Sequence, residues 1–426
     1  MARNLRVGVQ RGLRQSIGGG LGTGDIFTLS PASFDFSRTN TKDSRITFTR
    51  ASSGTFVGAD GLIKSAATNT ARFDHDPVTG ESLGLLIEEA KTNDIATDIG
   101  LTSSTSGVSL SEDSSVSKPD GTTGALKITA TAGSSVHAAQ RTSGATTTNH
   151  AFSVFVKKGN HRYIGLSQGG VSNNIHVIFD TDTKTITDDG AKNNGTFVSS
   201  GFEEYANGWF RIHMVGFTQG TTLRVFLAQN DSQNGMKNWS ATGNEFAYAW
   251  GLQREDGDFP TSYIPTSNSA VTRAADVAEI TGTNFSSFYS EAKGSVFVQA
   301  SGATLTGNPL SLEIHDGTTN NRHTLDYGSG DITTVVGGAS QAVLATGAPS
   351  SAEDVVKVAF AYEVNNFAAS KDGGSIVSDA SGTVPTTSEM QLGNDSAGTK
   401  PLNGHIKRLI YFPMRLADAT LQSISS

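Results

Sequence analysis

The chain has 426 residues, 36% of them hydrophobic and 17% charged, with 48 glycines and no cysteine. Both fractions lie below the usual ~45–50% and ~25%; Gly, Ser, Thr and Asn fill the difference, which argues against a helix-rich chain with its Glu, Lys and Arg surface, and the missing cysteine excludes disulfides, thiolate metal sites and cysteine nucleophiles. The net charge of −8 is uneven: Arg3, Arg6, Arg11 and Arg14 against the single Asp25 leave residues 1–30 at +3, and the acidic remainder disfavours nucleic acid as the main partner, because phosphate neutralisation needs concentrated Lys and Arg.

Residues 1–30 read as a basic arm. Leu5, Val7, Val9 and Leu13 are loosely spaced and lead into Gly18–Gly20, Gly22 and Gly24. A stretch of this kind buries too little surface to order itself. Its arginines either insert into an assembly neighbour, with the glycines as a hinge, or form a solvated tail. No apolar run of ~7–15 residues follows the basic residues, so no secretory leader is expected. No run of ~18 apolar residues exists, so no membrane insertion is expected.

Residues 31–100 read as short strands and irregular connections: Ile46–Phe48, Thr55–Val57 and Leu83–Ile87, with a tight turn at Asp60–Gly61. The segment is too broken for a core of its own and is expected to wrap onto a neighbour. Residues 101–275 carry the clearest β pattern. Phe152, Val154 and Val156 alternate with Ser153, Phe155 and Lys157; Ile175, Val177 and Phe179 follow the same rule, as do Phe210, Ile212 and Met214, and Leu223, Val225 and Leu227. A period of two marks half-buried antiparallel strands. Asp120–Gly121, Asp189–Gly190, Asn194–Gly195 and Asn207–Gly208 are the expected connections, and strands at this spacing predict a sandwich or jelly roll.

Residues 276–426 repeat the style. Val356, Val358, Phe360 and Tyr362 alternate, Gly404–Phe412 reads as a final strand, and Arg415–Ser423 is the one helix expected. The fold class is therefore all-β: two antiparallel β-sandwich (jelly-roll) domains, residues 101–275 and 276–426, behind a wrapping segment (31–100) and an extended N-terminal arm (1–30).

Ala71–Pro77, Gly84–Glu88 and Ala90–Asn93 together resemble a block of bacteriophage virion proteins. Trp250–Glu255, Thr261–Thr266 and Thr272–Asp276 look like the block that closes a carbohydrate-binding-module-like jelly roll in the same proteins. Asn403–Leu409 through Pro413 and Arg415–Leu416 is similar to the last strand of concanavalin A-like, laminin-G-type lectin domains. The resemblance implies a non-enzymatic virion protein: a tail fibre or appendage, or alternatively a head decoration. It implies other virion proteins as partners through the arm, a homo-oligomer with a trimer favoured, and host-surface glycan as a further contact. A free lectin module and a polysaccharide depolymerase are the competing functions.

Chemical signals are weak by comparison. Gly165–Gly169 matches the G-x-S-x-G pattern, but a strand rather than a helix follows it, so a turn is expected and not a nucleophile. Glu-x-Asp, the start of the hydrolase pattern on concanavalin-like folds, is absent. The nine histidines are scattered; His315 and His323 flank one turn-like stretch, and ordinary surface histidines are the expectation there. Asp180–Thr181–Asp182 reads as a strand-end turn rather than a calcium loop. No catalytic residue, metal site or cofactor is expected. For glycan contact, sugars stack on exposed rings and pair their hydroxyls with Asn and Asp. Trp239 beside Asn238, and Tyr327 beside Asp326, stand in polar surroundings and are the candidates. Trp209 and Trp250 read as core.

Overall fold

The computed structural model describes residues 30–96, 107–170, 172–230 and 235–426. Every strand pair in it is antiparallel, and the strands stack as two sandwiches. In the first, a five-stranded sheet runs in the order His137–Thr142, Thr222–Leu227, Tyr163–Gly169, Asn174–Asp180, Thr185–Lys192. It faces a six-stranded sheet ordered Gly195–Tyr205, Trp209–Thr218, His150–Lys158, Phe246–Asp256, Thr123–Ala130, Val108–Ser117. The residues that alternate in the sequence, among them Phe152, Val154, Ile175, Val177, Ile212 and Val225, meet between these sheets as one core. Removing their side chains from water is what drives the two sheets together.

The second sandwich borrows from the start of the chain. Its seven-stranded sheet begins with Thr47–Thr49, which pairs with Val277–Thr281. In its eight-stranded sheet the last long strand, Gly404–Phe412, pairs with Ala32–Asp35 and Ser82–Ile87 as well as with Lys293–Gly302. The described residues between 31 and 96 thus supply integral strands of the second sandwich. Phe34, Phe36, Phe48, Leu85 and Ile87 lie in the same core as Val296, Leu312, Phe360 and Leu409. A helix, Asp418–Ile424, closes the outer face by packing Leu421 and Ile424 against Phe297, Ala359 and Ile410. Two further α-helical turns occur among the described residues, Phe36–Thr39 and Gly282–Ser286.

Three expectations are corrected. The central strands are not half-buried: all seven residues of Asn174–Asp180 are buried, because loops and a hairpin cover the outer faces of the sheets as well, whereas edge strands such as Val108–Ser117 and Ala339–Ala345 keep one side open. Asp189–Gly190 lies inside the strand Thr185–Lys192 instead of connecting strands. Asp60–Gly61, Asp120–Gly121 and Asn207–Gly208 connect strands as expected, while the turn expected at Asn194–Gly195 falls one residue earlier, on Asn193–Asn194. Asn207 and Gly208 both take left-handed φ (60° and 73°), the geometry a two-residue hairpin turn demands.

The hairpin on the outer face is Gly54–Val57 with Ile63–Ala66. Val57 and Ile63 close an aromatic cluster with Phe155, Tyr205, Trp209, Tyr248, Trp250 and Tyr263 of the first sandwich. Trp209 and Trp250 are buried there, as the sequence suggests. The wrapping segment therefore belongs to one sandwich by its strands and grips the other by its hairpin.

Gly84 is the tightest point of the wrap. Its φ is +105°, and a Cβ there would strike Ile406 O and stand 2.8 Å from Lys407 Cα. Gly84→Ala should cost roughly 1–3 kcal/mol and loosen Ser82–Ile87 from the last strand, read as a lower urea midpoint and faster amide exchange at Leu85–Ile87. An unchanged midpoint would remove the close approach from the account.

Candidate functional site

Residues of the wrapping segment and of Thr272–Asp276 meet in one buried ionic junction. Arg72, at the start of Arg72–His75, is fully buried and places Nη2 against Glu88 Oε2 at 2.8 Å and against Asp276 Oδ2. Arg50 Nη1 meets Asp276 Oδ1 at 3.1 Å, and Arg273 Nη2 lies 3.4 Å from Glu88. The Glu88 carboxylate also accepts from Ser262 N at 2.8 Å and Ser262 Oγ at 2.7 Å, while Asp276 accepts from Glu88 N at 3.0 Å. Arg72 Nη1 also donates to Thr55 O and to Ser262 Oγ, and Arg50 Nη2 to Ala67 O, while Arg72 Nε and Arg273 Nε are buried without a hydrogen-bond partner. Burial alone would raise the Glu88 carboxyl, but Arg273, Arg72 and Ser262 outweigh it and hold it well below the usual carboxylate range.

Above this junction lies a cleft of about 630 Å³ to which all three parts contribute. The wrapping segment brings Asp74, whose Oδ2 stands 2.9 Å from His405 Nε2 and whose Oδ1 accepts from Val57 N. The edge strand Gly195–Tyr205 and its neighbour Trp209–Thr218 bring Glu203, Tyr205, Arg211 and His213. The register sets Glu203 opposite Arg211 and Gly201 opposite His213, so these side chains share one face. The second sandwich brings Ser301–Ala303, Glu353 and Val355.

Charge in the cleft is balanced by distance rather than by contact. The Tyr205 hydroxyl hydrogen-bonds to Glu203, and Arg211 attracts Glu203 without an ion-pair contact among the described residues. Crowding by the cleft walls, reinforced by Asp74 and Glu353, raises the Glu203 carboxyl to about 7, although its side chain still reaches cleft water. His213 is pushed down to about 4 by burial and by Arg211, so it is neutral at neutral pH. Arg211 donates to Thr261 O at 2.7 Å and Ser153 Oγ at 3.0 Å, yet its buried Nε has no partner. Behind it, Glu255 is buried and accepts from Thr261 N (3.0 Å) and Thr261 Oγ1 (2.8 Å). Desolvation there raises its carboxyl to about 7 against the pull of Arg211.

The glycan-contact residues expected from the sequence lie elsewhere, and two of them are corrected. Trp239 is buried in the strand Trp239–Ala241, its indole N–H donating to Leu227 O at 3.0 Å, with His137 and His161 packed on its ring. Tyr327 is buried too, and its hydroxyl donates to Asp354 O. Neither ring is free to stack on a sugar. Asn238 is exposed but has lost its aromatic neighbour to the core, and Asp326 is half-buried and accepts from Ser329 N. The two candidate pairs sit on different sandwiches, so nothing brings them together. Arg3, Arg6, Arg11 and Arg14 lie outside the described residues.

The weak motifs resolve structurally. Ser167 is buried in mid-strand and not on an exposed elbow. Asp180 closes a turn by accepting from Asp182 N and Thr183 Oγ1. His315 and His323 are on adjacent strands, but the register Ile314↔His323 and His315↔Arg322 turns them to opposite faces. Both are buried, so they are not surface histidines. Among the described residues no group of three His, Asp or Glu is placed to hold a metal ion, and no helix is long and apolar enough to cross a membrane. The cleft residues Asp74, Glu203, Arg211 and Glu353 were not singled out from the sequence. The signal for two of them was present: Glu203 and Tyr205 share the period of Arg211 and His213, the polar side of two alternating strands.

No protein-family model matches the chain, and no curated protein matches it. Solved structures with some overall likeness include Trypanosoma rangeli sialidase in complex with sialic acid, at 10% identity and a TM-score of 0.25, covering 70% of this chain and 60% of that one. The same sialidase alone gives 10% and 0.26 over 92% and 96%. Xylan β-1,4-xylosidase from Bacillus halodurans C-125 gives 12% and 0.21 over 87% and 97%. The chain thus spans about 60% of the length of the first of these. At such scores the likeness carries no argument about the site.

Asp276→Ala would leave Arg50, Arg72 and Arg273 facing Glu88 alone. Breaking a buried pair from one side costs roughly 3–5 kcal/mol, so the urea midpoint should drop sharply; a shift within error would mean that water already reaches the junction. A pH series isolates Glu255. Its folded pKa is raised, so its stabilising contribution is complete below the unfolded value near 4.5 and is lost as pH rises through about 7. The stability of the wild type relative to Glu255→Gln should therefore fall by about 2–3 kcal/mol between pH 5 and 8. A pH-independent difference would contradict the burial of that carboxyl.

Proposed function

We propose that this chain is a non-enzymatic structural protein of a bacteriophage virion, a tail-fibre or appendage component that contacts host-surface glycan. One observation carries the reading. Arg72, Glu88, Arg273 and Asp276, all within the blocks that resemble phage virion proteins, are consumed by the buried junction that ties the wrapping segment to both sandwiches. Residues committed in this way serve cohesion and are not available for turnover. That is the demand on a virion part, which has to keep its shape outside the cell.

The basic arm supplies the anchor in this proposal. The Ser30 hydroxyl donates to Tyr411 O at the last strand, which fixes the start of the described chain beside the second sandwich. Arg3, Arg6, Arg11 and Arg14 then reach an acidic neighbour in the particle, and the chain associates as a homo-oligomer, a trimer by preference.

Antibody-gold electron microscopy on particles from the source tests this directly. Label at the tail is expected. Label over the capsid would replace the appendage by a head decoration, and unlabelled particles would remove the virion reading. Reducing ends released from host polysaccharide by the purified chain would overturn its non-enzymatic part.

A further inference from the structure

The cleft above the ionic junction has features that cohesion does not require. Its volume of about 630 Å³ is in the ~300–1,000 Å³ span of small-molecule sites. Arg211, only 6% exposed, lines it with a guanidinium held in place by Thr261 O and Ser153 Oγ. Glu203 and Arg211 face each other across a strand pair without touching, which leaves room between an acceptor and a donor. Glu353 enters from the opposite wall on a left-handed residue, φ +72°, a conformation that Gly or Asn would hold with less strain.

We propose that this cleft is a binding site for an uncharged saccharide, held between the Arg211 guanidinium and the carboxylates of Glu203, Asp74 and Glu353. A sugar ring presents hydroxyls that donate and accept within one short span. They can give protons to the three carboxylates and an oxygen to the arginine at the same time. The apolar edges of Leu83 and Val355 line the cleft beside the carbon faces of such a ring. A metal ion is a poorer occupant, since no three ligating groups converge among the described residues. An acidic sugar is a poorer one still, because its carboxylate would enter beside three others.

This inference rests on the glycan part of the proposed function and gives it a location and a substrate class; the virion part stands or falls separately. The test is calorimetric titration of the full chain with neutral oligosaccharides of glucose, galactose, mannose and N-acetylglucosamine, and with oligogalacturonate as the acidic counterpart. At least one neutral probe should bind, and oligogalacturonate should bind at least tenfold more weakly. Glu353→Gly should weaken binding tenfold or more while the thermal midpoint stays level or rises, because the strained residue is relieved. Glu203→Gln should weaken binding without lowering the midpoint. Heat from none of the neutral probes would overturn the proposal. So would equal affinity for oligogalacturonate, or affinity unchanged in both variants. Gold label on particles together with a silent titration would sink the cleft alone; a positive titration with unlabelled particles would sink the virion reading alone.

Discussion

Three arginines and two carboxylates share one dry junction, and the arrangement of the whole chain follows from keeping them paired. Taking five charges out of water is costly, and the attraction between them offsets that cost only if every partner is in place. Arg50 and Arg72 come from the wrapping segment, Glu88 from its end, and Arg273 and Asp276 from the link between the sandwiches, with Ser262 of the first sandwich completing the set. If any one part docked differently, it would strand a buried charge in the others. The junction therefore specifies how the parts meet more than it adds net stability; well-packed apolar residues of the same volume would hold the parts as firmly but would tolerate other dockings.

Around that junction the apolar surfaces do the holding. The two sandwich cores are separate, and the hairpin Gly54–Val57 with Ile63–Ala66 joins them by sealing the aromatic cluster on the outer face of the six-stranded sheet. That seal, with Val136 and Met236 over Ile178 and Phe226 of the five-stranded sheet, explains why strands whose sequence alternates apolar with polar are buried on both faces. The cleft is what remains where three curved surfaces meet and cannot close. Its walls are polar because the outward-facing positions of strands supply them.

Much of the fold is legible in the residues. Phe152, Val154 and Val156, or Val356, Val358, Phe360 and Tyr362, announce strands because a period of two has one physical meaning, a pleated chain with one side against a core. The final strand Gly404–Phe412 and the helix after it are legible for the same reason. Trp239 and Tyr327 were misleading because local polarity describes neighbours in sequence. Burial is decided by what the strand pairs with: Trp239 is drawn into the core by its pairing with Ser135 and by His137 and His161. The junction and the cleft are the least legible. Their members are separated by 226 residues in Arg50–Asp276, 204 in Arg72–Asp276 and 331 in Asp74–His405, and no local pattern records who will meet whom.

The pairing of Ala32–Asp35 with Gly404–Phe412 also bears on how the chain is made. The hydrogen bond from Ser30 to Tyr411 spans 381 positions, so the first described strand has to wait for nearly the whole chain before its partner exists. Contacts of such separation close slowly, since loop entropy is lost before pairing compensates it. During synthesis the first sandwich can complete itself, while Phe34, Phe48, Leu85 and Ile87 remain apolar and unpaired at the ribosome. The emerging protein is thus a finished domain carrying an open, adhesive strand set, which exposes it to self-association or to chaperone capture until translation ends. Truncation after the first sandwich is complete and before residue 404 would leave it permanently in that state.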